Sequence, residues 1–357
     1  MNKLVVRFSR YYKIIISSVI LSGTAAIAPA QDIQFSQFYA VTPYINPAFV
    51  GGTHSFRAMA HGRLQWPGLD AKYETGLVSV DHYFEKYNSG VGVMVLQDQQ
   101  GLADIKNTTA TLQYSYELPI TKAFTIRGGL RGGYSSQSIN FSQLYLPSQI
   151  DDQTGQHSTG VTGLGNQKGY LDLGSGFLGY TERIWGSVAF DHMNTPSLTM
   201  YGTGDRAPLP MKTSFTAGYK IPLKGGSHMA YLHEANNIFL TPTAHYKMQG
   251  KSDQFDMGLY LTYNQFLLGA WYRGIEFKRI DPKVYNSESA VASIGWIFYN
   301  WSIQYSYDIT VSTLTRAGTG GSHELNITYV YHKPSNKHKP MKRLPCPDFY
   351  HSNKHQK

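Results

Sequence analysis

Trp301-Ser302-Ile303-Gln304-Tyr305-Ser306-Tyr307-Asp308-Ile309-Thr310-Val311-Ser312 places an apolar or aromatic residue at every odd position and a polar one at every even position. Successive side chains of a strand point to opposite faces, whereas a helix would scatter this pattern around its circumference. The stretch therefore predicts one long strand with an apolar face and a polar face. The same alternation recurs at Phe255, Met257, Leu259, Leu261 and Tyr263, and at Leu325, Ile327, Tyr329 and Tyr331. It recurs again at Ala110, Leu112, Tyr114 and Tyr116, and at Phe124, Ile126, Leu130 and Tyr134, the last group opposed by Arg127 and Arg131.

Working outward from these runs predicts 14 strands, near 53–65, 72–84, 89–97, 104–118, 123–136, 168–181, 184–193, 211–221, 238–248, 253–263, 265–275, 288–299, 301–312 and 322–332. Alternation is poorest in 53–65, 89–97 and 238–248. The connections between strands alternate between short turns and long loops, as in outer-membrane barrels, where the short turns are periplasmic. Two connections break the rule: 222–237 is too long for a simple turn and 249–252 is short for a loop.

A soluble sandwich would alternate in the same way. Three features favour a barrel in lipid. The strands are longer than the roughly five or six residues usual in soluble sheets. Aromatics gather at strand ends, as in Trp296, Phe298, Tyr299 and Trp301, where interfacial girdles sit. The number of strands is high for a single sandwich. The fold class expected is all-β, a transmembrane antiparallel barrel of the outer-membrane type, and it implies contact with outer-membrane lipid. Asp81, Asp172, Asp256, Arg273, Asp308 and Glu324 lie within strands opposite apolar neighbours, so they are expected to face the lumen.

The chain's first 30 residues read as a cleaved export signal. Lys3, Arg7, Arg10 and Lys13 precede an apolar stretch, and Ala28-Pro29-Ala30 offers a cleavage site before Gln31. The net charge of +9 does not point to nucleic acid, because it is concentrated at the ends. Residues 31–332 hold 21 basic and 22 acidic residues, a net of −1, while 333–357 hold seven Lys or Arg against one Asp. The organisation expected is a signal at 1–30, a plug-like periplasmic segment at 31–52, a barrel at 53–332 and a basic periplasmic tail at 333–357. Both termini are then periplasmic.

No chemistry-bearing constellation emerges. His323-Glu324 and His233-Glu234 lack the second histidine of a zinc helix. The glycine run Arg127–Gly133 sits in a strand with no helix after it, and Gly174-Ser175-Gly176 is likewise inside a strand. No enzyme activity, cofactor or metal is expected, and the single Cys346 cannot form an internal disulfide.

The expected mature opening, Gln31-Asp32-Ile33-Gln34-Phe35-Ser36-Gln37-Phe38-Tyr39, followed by Pro43-Tyr44-Ile45-Asn46-Pro47-Ala48-Phe49-Val50-Gly51, closely resembles that of the PorP/SprF family. These are outer-membrane proteins of the type IX secretion system of Bacteroidetes. Arg63-Leu64-Gln65-Trp66-Pro67, Trp271-Tyr272-Arg273, Tyr305-Ser306-Tyr307-Asp308, Gly321-Ser322-His323-Glu324 and the Cys346-Pro347 ending are further resemblances. The resemblance implies a non-enzymatic secretion component supporting export or surface attachment of an adhesin-like cargo with a C-terminal sorting domain, as in gliding motility. It also implies contacts with other components of the system, such as its periplasmic ring and peptidoglycan-binding proteins. The interaction candidates are Gln34, Phe35, Ser36, Gln37, Phe38, Tyr39, Asn46, Pro47 and Phe49, with Arg273, Asp308 and Glu324 as lumen charges. Loops 137–167 and 194–210 are the candidate cargo surface. The alternative function is a diffusion channel or hydrophobic-solute transporter. Aromatics need burial and prolines oppose regular structure, so segment 35–49 is expected to pack irregularly against the barrel, entering the lumen from the side where the first strand begins.

Overall fold

In a computed structural model of the chain, the residues described are 32–101, 104–140, 167–199, 207–224, 238–250, 252–274, 289–311 and 318–331. The expected export signal at 1–30, the basic tail, most of loops 137–167 and 222–237, and residues 200–206 of loop 194–210 lie outside the described residues.

Fifteen strand segments form one antiparallel sheet: β1 (Phe56–Gln65), β2 (Lys72–Phe84), β3 (Ser89–Gly101), β4 (Ile105–Pro119), β5 (Thr125–Ser138), β6 (Gln167–Tyr180), β7 (Ile184–Asp191), β8 (Lys212–Tyr219), β9 (Ile221–Lys224), β10 (Ile238–Gln249), β11 (Ser252–Tyr263), β12 (Phe266–Arg273), β13 (Ser289–Phe298), β14 (Trp301–Thr310) and β15 (Ser322–Tyr331). β8 and β9 are interrupted only at Lys220 and both pair with β10, so together they make one stave of a 14-stave wall. Residues 222–224 therefore continue a strand, where the sequence suggested a turn. The ring is closed by β1 and β15, which pair along their full lengths from Phe56↔Tyr331 to Gln65↔Ser322.

The two ends of the wall differ. One, the turn end, carries the tight connections 85–88, 120–124, 181–183, 264–265 and 299–300 and one long one, 225–237; the other, the loop end, carries 66–71, 139–166, 192–211, 274–288 and 311–321 beside the short 102–104 and 250–251. Asn88 and Asn264 take left-handed backbone (φ 51 and 53) at two of the tight turns, a conformation asparagine tolerates better than most residues. The expected short connection at the loop end is a true tight turn, with Gly250 at φ 60.

The outer face is apolar. Leu112, Leu130 and Leu171 expose more than half of their surfaces (62, 62 and 66 %), and Val78, Phe177 and Ile294 do much the same. A continuous belt of this kind is what hydrocarbon, rather than water, would cover. Trp296, Tyr299 and Trp301 project from the turn-end rim, where aromatic girdles sit. In β14, Ile303, Tyr305 and Ile309 are exposed while Ser302, Gln304, Ser306, Asp308 and Thr310 are buried. The burial thus runs polar-in and apolar-out, the reverse of a soluble protein.

Candidate functional site

The lumen is where the charged strand positions meet the amino-terminal segment. Residues 35–53 are buried except for Thr42 and Ile45, and they follow an irregular path. A one-turn helix α1 (Thr42–Ile45) starts with Pro43 in its first turn, and a 3-10 turn (Pro47–Phe49) starts at Pro47. Proline fits both places because the first turn of a helix needs no N–H from it.

Three apolar clusters hold the segment. Phe38, Tyr39 and Ala40 pack on Tyr260, Leu267, Trp271 and Val291. Phe35, Val41 and Tyr44 pack on Met59, Leu77, Met94 and Leu96. Ala48 and Phe49 pack on Leu178, Tyr180 and Trp185. Rings meet edge-to-face at favourable separations, as in Phe35–Tyr44 (5.0 Å) and Tyr39–Trp271 (5.8 Å), and Phe38 stacks on His245 at 5.2 Å.

An irregular backbone cannot satisfy its own polar groups, so the wall does it. Arg127 donates to the Ala48 and Val50 carbonyls (3.0 and 2.5 Å), and Arg131 to those of Pro43 and Tyr44 (2.9 and 2.7 Å). Arg273 donates to the Phe35 carbonyl (3.1 Å), and Arg57 to that of Phe49 (3.3 Å). In the opposite sense, the Glu324 carboxylate accepts from the Ser36 and Gln37 N–H groups (2.6 and 2.9 Å), and Asp81 accepts from that of Gly51 (2.7 Å). Each arginine is also paired to a carboxylate on the wall: Arg57 with Asp81, Arg127 with Glu117, Arg131 with Asp191, Arg273 with Asp256, and Arg63 with Glu324 and Asp308. Buried charges are tolerable only when paired in this manner.

At the loop end, Asp32 accepts from Lys212 Nζ (2.6 Å) and pairs with His192 Nε2 (2.8 Å), while its N–H donates to Gln249 (3.0 Å). The other nitrogen of His192 reaches Asp172 (2.8 Å), and Lys212 also pairs with Asp191 (3.1 Å). Burial works to lower the His192 pKa, but the carboxylates of Asp32 and Asp172 outweigh it and push it up to about 9. Burial would raise the Asp32 carboxyl, yet Lys212 and His192 hold it well below the usual carboxylate range. Among the described residues, no cluster of His, Cys, Asp and Glu has the arrangement of a metal site.

The structure brings most of the sequence candidates together. Phe35, Ser36, Gln37, Phe38 and Tyr39 lie in one buried run, with Arg273, Asp308 and Glu324 against it; Ser36 also bonds Asp308 through its hydroxyl. Asn46 caps the 3-10 turn, accepting from Ala48 N (2.8 Å) and donating to the Phe177 and Val188 carbonyls (3.1 and 3.0 Å). Pro47 and Phe49 belong to the turn it caps, and Gln34 is half-buried. Asp81, Asp172 and Asp256 also face inward. Sequence reasoning missed His192 and Lys212. Lys212 heads β8 and His192 lies one residue past β7, so neither sits within the alternation that marks a lumen-facing charge.

The path of the segment differs from the expected one. Gly51 lies beside Asp81 and Gly90, near the turn end where β1 begins, whereas Asp32 meets the loop ends of β7, β8 and β10. The segment therefore does not merely enter from β1's side; it crosses the lumen from one end to the other.

Among solved structures, outer-membrane barrels resemble the chain at low identity and low TM-score. Omp33 of Acinetobacter baumannii is 8 % identical, with a TM-score of 0.43 over 79 % of this chain and 100 % of that one. A Pseudomonas aeruginosa FadL homologue is 13 % identical (TM-score 0.42, 80 % and 93 % covered), and the CymD monoaromatic hydrocarbon channel 11 % (0.42, 87 % and 97 %). No curated protein matches the chain. The family described as type IX secretion system membrane protein PorP/SprF matches residues 27–329, nearly the whole barrel together with the segment that fills it. The chain thus belongs to the PorP/SprF family, and it is an outer-membrane component of type IX secretion.

Proposed function

We propose that this barrel binds a secreted cargo carrying a C-terminal sorting domain and supports its export or its attachment at the cell surface, as a sealed partner that performs no chemistry. The observation that carries this reading is the filled lumen. The segment bearing the family's opening motif occupies the space that a diffusion channel or solute transporter would need, with Phe38, Tyr39 and Val41 at 2 % exposure or less. A barrel that passes nothing through its centre works by its two ends.

Orientation follows from the connections, with the turn end in the periplasm and the loop end outside. β15 finishes at Tyr331, opposite Phe56, so on this orientation the last strand ends on the periplasmic side; the basic tail that follows it is assigned to ring and peptidoglycan-binding components. Asp32 lies near the outer mouth, so on this orientation it and Tyr331, the end of the last strand, lie on opposite sides of the wall. Cargo contacts are assigned to loops 137–167 and 194–210, because binding residues favour loops held by a rigid scaffold.

Comparing surface proteins of a deletion strain with its parent tests the reading. One sorting-domain protein should be lost from the surface. Replacing both loops with short Gly/Ser linkers should reproduce that loss with the barrel still inserted. Parental display of every sorting-domain protein in both strains would sink the proposal.

A further inference from the structure

All pairings in the wall join staves that follow one another in the chain, β8 and β9 counting as one, with a single exception. Only the β1–β15 seam joins the two ends of the sequence, so it is the closure with the largest loop to order. Residues 32–53 touch both sides of that seam. Arg63 of β1 and Glu324 of β15 are direct cross-strand partners and are ion-paired. The same two side chains hold Ser36, and Glu324 also receives the Gln37 N–H.

The lumen leaves no route for late entry. A Cβ on Gly90 would strike the Val50 carbonyl, one on Gly129 the Ala48 main chain, and one on Gly176 the Asn46 side chain. Glycines on β3, β5 and β6 thus let the segment approach to backbone contact. Phe38 and Tyr39 spread sideways onto β11–β13, and Phe35 and Tyr44 onto β1–β3, on the two sides of the seam. A chain carrying these rings cannot be drawn lengthwise through a closed ring of hydrogen-bonded strands. An empty closed ring would in turn leave Met59, Leu77, Met94, Leu267, Trp271 and Val291 facing an open lumen.

We infer that the lumen is a polypeptide-binding site whose ligand is the chain's own segment 32–53, and that this segment binds before the β1–β15 seam closes and serves as the template on which it closes. The recognition is mainly of main-chain carbonyls by arginines and of main-chain N–H groups by carboxylates, with aromatic pockets setting the register. The inference goes beyond the proposed function and does not depend on any cargo.

The test follows the order of events as the mature chain refolds from urea into detergent, with Cys346→Ser as background. One variant carries Ala40→Cys, whose thiol is buried once the segment is seated. Another carries Leu64→Cys with His323→Cys, cross-strand partners in the seam. Pulsed thiol labelling should find position 40 protected no later than the seam disulfide becomes formable. A chain lacking residues 31–50 should give about ten-fold less seam-linked product, and a synthetic peptide of residues 31–53, present during refolding, should restore it. A seam that links while position 40 still labels would overturn the inference, as would parental seam yield from the shortened chain. The first measurement uses the full-length chain, so it decides the matter even if the shortened chain does not fold.

Discussion

Glu324 is held by four partners in the lumen. It pairs with Arg63 and His61, accepts from Ser36 and Gln37, and is 1 % exposed. Removing one partner of a buried pair leaves the other charge and two N–H groups unmet, which costs about 3–5 kcal/mol. Asp308 still faces Arg63, so Glu324→Ala is expected at the lower end, about 3 kcal/mol. The measurement is the temperature at which the folded form is lost in a gel-shift melt. A melt equal to that of the parent would mean that the segment is not held as described. His192 gives a second expectation. Its pKa is raised to about 9 from 6.5 by Asp32 and Asp172, so its contribution is complete below about pH 6.5 and is lost as pH rises through about 9. Up to about 3 kcal/mol of linkage is at stake. Melts between pH 6 and 10 should show this fall in the parent and its absence in His192→Gln. Inward charges such as Arg273, Asp308 and Glu324 were legible in the sequence, because each interrupts an apolar alternation. Lys212 and His192 were not, because a side chain at a strand end has no alternation to interrupt.

At the scale of elements, the strands with the poorest alternation are informative. β1 turns Met59 inward between Arg57 and His61 and presents Ala58, Ala60 and Gly62 outward. β3 turns Met94 and Leu96 inward while Val91, Val93 and Val95 face out, and β10 turns Phe239 inward. Alternation fades there because the lumen face is itself partly apolar where the amino-terminal segment packs against it. Segment 35–49 had the opposite signature, aromatics and prolines without period, and this told of burial without telling the path. Its crossing of the whole lumen depends on pairings such as Asp32–Lys212, 180 residues apart, which no local pattern encodes. β14, by contrast, was legible residue by residue. Tyr305, near its centre, faces outward, so Tyr305→Arg would set a charge in hydrocarbon and cost about 2–4 kcal/mol. Ser306→Arg, which points inward, should instead collide with the seated segment near Gln37. Folding titrations in lipid vesicles distinguish the two. Equal, small losses at both positions would contradict the assigned faces.

For the whole molecule, the 14-stave wall and the type IX secretion family fix the setting, and the lumen decides how the barrel can work there. Porins of this strand range hold water; here the wall's arginines and carboxylates are spent on a backbone that occupies the same space. On the proposed reading the ends are the working surfaces, and the segment also contacts both seam strands through Arg63 and Glu324. Ion conductance in planar bilayers tests this claim most directly. The purified full-length mature protein, inserted and confirmed folded, should give no steady conducting steps. Stable, ohmic steps of the size expected for an open barrel would contradict the account, since they would require a continuous water path where residues 35–53 are placed.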